Sequence, residues 1–138
     1  MAKKSRTRKR LSRQEMRDLD IEIQFLQGIV ARDPNYADAL RLLSDDYLMK
    51  GDFQMGLELD EKLIELDSQN PQAFFNLACC YALTGQFRGA VDALSLAIDR
   101  GYEDWKWIAR EASLEAFRLS PEYQEVLGKI QLILTPSA

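Results

Sequence analysis

Residues 37–70 and 71–104 repeat one another at an offset of 34. Leu43 falls on Leu77, Tyr47 on Tyr81, Gly51 on Gly85, Phe53 on Phe87 and Ile64 on Ile98. Five matches in one register, aromatic and glycine positions among them, mark a stack of supersecondary units of this length. Such a unit cannot bury its apolar stripe alone, so neighbouring units must pack on one another.

Between prolines and glycines the apolar spacing is helical, and no segment alternates with period two over a strand's length, which predicts an all-α chain. Ser12 and Glu15 have capping-box spacing and start the first helix. Met16, Leu19, Ile23, Leu26 and Val30 then form one stripe, and Pro34 ends it by restricting the residue before it. The next helices are expected over about Tyr36–Lys50, Phe53–Asp67, Pro71–Thr84 and Phe87–Arg100. Gly51 and Gly85 stop the first helix of each pair, where glycine permits a left-handed turn. Asn70 and Pro71 suit an N-cap and first helical position. Further on the spacing predicts a short helix near 104–111, a turn-like "ASLEAFRLSP" and a last helix from Pro121 to about Leu134, six to seven helices in all. One of Trp105 and Trp107 is expected to seal the core where the regular repeat ends.

The repeat resembles the tetratricopeptide-repeat (TPR) family. The tryptophan-like position is Leu40 and Phe74, the Leu-Gly pair reads Leu43-Ser44 and Leu77-Ala78, and the tyrosine is Tyr47 and Tyr81. The second-helix alanine is Gly56 and Ala90, the bulky residue after it Asp60 and Leu94, and the next alanine Leu63 and Ala97. The closing proline is replaced by Ser68 and Tyr102, while Pro34 holds that place one repeat earlier. The first repeat therefore departs from the pattern at Gly56, Asp60 and Leu63. Gly101-Tyr102, Glu111-Ala112-Ser113-Leu114, Phe117-Arg118 and Pro121-Glu122-Tyr123 resemble the C-terminal end-of-group type of the family. The resemblance implies a short α-solenoid of antiparallel helix pairs. It divides the chain into a basic disordered arm (1–11), a single helical domain (12–134) and a frayed tail (135–138). Within the domain lie a leading helix (12–32), repeats 37–70 and 71–104, and a C-terminal cap (105–134).

The 138 residues contain no histidine. This removes Ser-His-Asp and Cys-His catalysis and most zinc sites. Neither glycine-rich phosphate loop can be read in the chain. The acid pairs Asp45-Asp46 and Glu103-Asp104 read as solvated helix positions, as surface carboxylates commonly are. Cys79 and Cys80 are the only thiols, too few for a disulfide framework, and a reducing cytoplasm is the expected setting. Neighbours on a helix point about 100° apart, so Cys80 is expected in the helix–helix core and Cys79 toward the groove. No enzyme activity, cofactor or metal is expected, and no apolar run is long enough to span a membrane.

Two surfaces remain as candidates. By resemblance the concave groove is lined by Asp38, Arg41, Leu42, Asp45, Leu48 and Met49, then by Gln72, Phe75, Asn76, Cys79, Ala82 and Leu83. Phe75, Leu83, Leu48 and Met49 would offer an apolar strip to a peptide or partner helix. Members of the family that clamp chaperone carboxylate tails use a lysine and an asparagine at the fifth and ninth repeat positions. Arg41 and Asp45, then Phe75 and Cys79, stand there, and Asp45 would repel a carboxylate, so no such clamp is expected. The second surface is the basic arm: Lys3, Lys4, Arg6, Arg8, Lys9, Arg10, Arg13 and Arg17, against the single acid Glu15. The remainder holds ten basic and 21 acidic residues. Such an arm suits weak, non-specific contact with RNA, DNA or a ribosome, since it has no aromatic ring to stack on a base. A solubilising tail would look the same, and self-association through the end of a short stack is a further alternative. The main expectation is a non-enzymatic adaptor that binds a protein or peptide.

Overall fold

The computed structural model describes residues 10–135. Among them are eight α-helices, one short 3-10 turn and no strand. They fall into two compact units divided between Ser68 and Gln69.

The first unit holds α1 (Arg13–Arg32), α2 (Ala37–Lys50) and α3 (Phe53–Leu66). The Ser12 hydroxyl accepts from the Glu15 amide at 3.1 Å, and the Glu15 carboxylate accepts from the Ser12 amide at 3.2 Å. This reciprocal pair satisfies two donors that a helix start otherwise leaves orphaned. The stripe of α1 then buries Leu19, Ile23 and Leu26 against Ala39, Leu43 and Tyr47 of α2. Met55 and Leu59 of α3 pack on this cluster. Gln27 donates to the Tyr47 hydroxyl, and Lys50 meets Asp20 at 2.8 Å. Gly51, at φ 92°, ends α2, and the Asp52 amide then reaches the Tyr47 carbonyl at 2.8 Å. Asp52 goes on to cap α3 through the Met55 amide.

The second unit holds α4 (Pro71–Leu83), α5 (Phe87–Asp99), α6 (Trp105–Arg110), a 3-10 turn (Ala112–Leu114), α7 (Glu115–Arg118) and α8 (Tyr123–Leu134). Asn70 caps α4 through the Gln72 and Ala73 amides, with Pro71 in its first turn. The α4–α5 turn repeats the earlier one: Gly85 has φ 75° and the Gln86 amide reaches the Tyr81 carbonyl at 2.8 Å. Both pairs thus use the same left-handed glycine and the same returning hydrogen bond. Ala78, Cys80, Ala90, Leu94 and Ala97 are fully buried, which lets α4 and α5 lie close.

The cap departs from the expected turn. The "ASLEAFRLSP" stretch winds into the 3-10 turn and α7, bringing the helix count to eight rather than six or seven. The Glu111 carboxylate accepts from the Ser113 hydroxyl at 2.9 Å and amide at 3.4 Å. The Arg118 guanidinium donates to the carbonyls of Ile108 and Glu111, at 3.0 and 2.6 Å. These bonds supply local partners to backbone groups that a loop would leave to water. The last helix starts at Tyr123 rather than Pro121, and Tyr123 meets the Phe117 ring edge-on at 5.3 Å. Trp105 and Trp107 are both half-buried, while Ile108 just beyond them is closed off.

Candidate functional site

The first helix of each pair was expected to carry the binding face, and its residues divide into open and closed ones. On α2, Asp38 and Arg41 are exposed and form an ion pair at 3.0 Å. Leu42 beside them is 51% exposed and Asp45 partly so. Spacings of three and four residues set these four on one side of the helix. Met49 is half-buried and packs on the core shared with α1, and Leu48 is only 1% exposed. On α4, Gln72 is exposed and donates to the half-buried Asn76 at 3.0 Å. Leu83 is half-buried, whereas Phe75, Cys79 and Ala82 are closed.

The closure corrects the expectation for Cys79. Both cysteines are buried with no exposed surface, so Cys79 does not look into an open groove. The physical reason lies in the C-terminal cap, whose 3-10 turn and α7 pack on α4. Phe75 is closed by Tyr102, whose ring lies parallel to it. The apolar strip of Phe75, Leu83, Leu48 and Met49 therefore offers a partner little more than the half-buried Leu83 and Met49. Sequence position alone does not reveal this, because the cover comes from Tyr102 and from residues 112–118, well further along the chain.

Of the basic arm, Arg10, Arg13 and Arg17 are exposed, with Arg17 donating to Gln14 at 2.7 Å. Lys3, Lys4, Arg6, Arg8 and Lys9 lie outside the described residues, as do most of the expected disordered arm and frayed tail.

A second concavity was not foreseen. It lies between α1 and α2, with a volume of about 290 Å³. Leu11, Leu19 and Met49 form its apolar part, and Glu15, Asp18, Glu22 and Asp46 its acidic part. The recurrence of Glu15, Asp18 and Glu22 at helical spacing was the available signal. Among the described residues no three His, Cys, Asp or Glu side chains converge to hold a metal. No helix among them is long and apolar enough to cross a membrane.

Residues 61–92 match the family model described as tetratricopeptide repeat. Over 55 residues the chain is 38% identical to a chloroplastic protein of Arabidopsis thaliana. That stretch is 40% of this chain and 16% of the relative, so the match spans about a sixth of that longer protein. Among solved structures the fold is similar to the crystal structure of MamA, with a TM-score of 0.61 and 20% identity. The likeness covers 89% of this chain and 69% of that one. At that identity it speaks to fold alone, an all-α solenoid of helix pairs. The comparisons thus place a tetratricopeptide repeat at residues 61–92 and give the chain the fold of such repeats.

Proposed function

We propose that this chain is a non-enzymatic protein-interaction module, an adaptor that holds a peptide or protein segment on the open side of α2. The observation that carries the reading is the tetratricopeptide repeat at residues 61–92, a unit whose general use is protein binding. The fold likeness supports it, and so does a sequence without histidine, which lacks the usual general base. On α2 the binding residues are Asp38, Arg41, Leu42 and Asp45; within the second unit, α4 by itself offers Gln72, Asn76 and Leu83. Leu42 is the apolar anchor because it combines size with exposure, as binding hot spots need a side chain to desolvate. A reducing, cytoplasmic setting goes with this reading, since two adjacent cysteines do not make a disulfide framework.

A quantitative pull-down from native lysate, comparing wild type with an Arg41→Glu/Leu42→Asp variant, tests the proposal. Selective loss of captured proteins supports it, and an identical captured set sinks the α2 assignment. RNA binding that weakens steeply with salt and vanishes on removing residues 1–11 would instead favour docking through the basic arm.

A further inference from the structure

Among the described residues, the outward side of α1 is exposed. At 100° per residue, Arg13, Arg17, Ile21, Phe25, Gly28 and Arg32 fall within an arc of about 120°. The buried residues Leu19, Ile23 and Leu26 lie on the other side of the helix. Ile21 and Phe25 are 65% and 67% exposed, one turn apart. A Cβ built on Gly28 meets nothing within 4 Å, so the surface is flat and open there. The acids of α1, Glu15, Asp18, Asp20 and Glu22, all lie outside this arc, and three of them border the pocket. The arginines thus lie within this side of the helix, while Asp18 and Asp20 stand just beyond its two edges.

Single exposed apolar residues are ordinary on a protein surface. Two at i, i+4 spacing, next to a glycine gap and flanked by arginines, make a ridge and a groove of the kind a second helix packs into. The repeat logic points the same way. In α2–α3 and α4–α5 each second helix packs on its own first helix. The resemblance to the repeat family implies that α1 is the second helix of an incomplete leading repeat, and the described residues contain no first helix for it.

We propose that this side of α1 docks an amphipathic helix of a protein partner, with an apolar stripe against Ile21 and Phe25 and acidic residues against Arg13, Arg17 and Arg32. Charge complementarity selects an acidic helix over a basic one. An anionic membrane surface is the poorer match, because interfacial helices bury a broad apolar face and this one offers two side chains. The surface is separate from Leu42 and Arg41, so it stands or falls independently of the binding side proposed for α2.

The test uses the full chain and a labelled helical peptide of about 20 residues, some 30 Å long, with leucines at three- and four-residue steps and glutamates beside them. Anisotropy should show binding that weakens as salt is raised. Ile21→Ala/Phe25→Ala and Arg13→Glu/Arg17→Glu should each weaken it at least tenfold, while Arg41→Glu/Leu42→Asp leaves it unchanged. Circular dichroism checks that the exposed substitutions leave the fold intact. A lysine-flanked version of the peptide should bind at least tenfold more weakly. The proposal is overturned if the acidic peptide fails to bind, or if the α1 variants bind it like wild type. It is equally overturned if these variants abolish binding to anionic vesicles, single-stranded RNA or a second copy of the chain while leaving peptide binding intact.

Discussion

Phe75 lies flat on Tyr102, ring centroids 4.5 Å apart and planes 3° from parallel. Phe75 sits on the side of α4 where a groove was expected, and Tyr102 stands where the family closes a repeat with proline. The stack thus converts a binding position into a structural one. Phe75 is 1% exposed and Tyr102 5%, so Phe75→Ala opens a cavity as well as removing buried surface. Its expected cost is about 3–5 kcal/mol, read as a fall in urea midpoint at unchanged slope. A double-mutant cycle with Tyr102→Ala should show strong coupling. A loss below about 1 kcal/mol would mean that Phe75 is not held there.

The polar core of the first unit is a second point where two departures from the repeat pattern explain one another. Ser44 and Asp60 are each 1% exposed, and the Ser44 hydroxyl donates to the Asp60 carboxylate at 2.7 Å. The Gly56 carbonyl is a longer acceptor at 3.3 Å. Thirty-four residues on, Ala78 and Leu94 fill the same positions and are fully buried. Ser44→Ala should therefore cost about 1–3 kcal/mol, since it removes one partner of a buried carboxylate. Adding Asp60→Leu, which copies the second unit, should recover most of that loss. Chemical denaturation of both single variants and the double variant checks this. Simple additivity of two losses would contradict it.

These residues also show how far the sequence could be read. The 34-residue register, the glycine turns and the Ser12 capping box were legible because each is written in residue types at fixed spacings along the chain. Ser44 and Asp60 were visible only as separate irregularities, since a repeat pattern scores each column alone. Which first-helix residues stay open was not legible either. That depends on the 3-10 turn and α7 folding back over α4, a packing outcome without local signature in α4. The exposed pair Ile21 and Phe25 was not legible either, because single apolar residues off the buried stripe of a helix carry no signal of their own.

Two helical glycines should respond in opposite directions to the same substitution. Gly28 has open space where a Cβ would go, so Gly28→Ala should stabilise by about 0.5–1 kcal/mol through reduced chain entropy. At Gly89 the added carbon would lie 2.9 to 3.1 Å from three atoms of the Tyr81 ring. That ring must shift or the helices part, and overpacking of this kind costs about 1–3 kcal/mol. Thermal melts of the two variants should straddle wild type. A stabilised Gly89→Ala protein would show that the Tyr81 ring moves freely.

Alkaline pH should act on the chain through Tyr123. Burial raises its phenol above the ordinary value of 10.0, and Arg118 only partly opposes this. The neutral phenol is the form the fold accepts, because desolvation penalises the phenolate. In the unfolded chain the group ionises at its ordinary value. The stability associated with this shift is therefore complete below about pH 10 and is lost as pH rises through the folded-state value. Lys50 adds to the alkaline loss in the same direction, its ammonium being held by the Asp20 carboxylate. Tyr123→Phe removes the tyrosine contribution and keeps the ring against Phe117. Stability measured between about pH 8 and about pH 11 should then fall less steeply in this variant than in wild type. Parallel curves for the two proteins would mean that Tyr123 titrates as a solvated phenol.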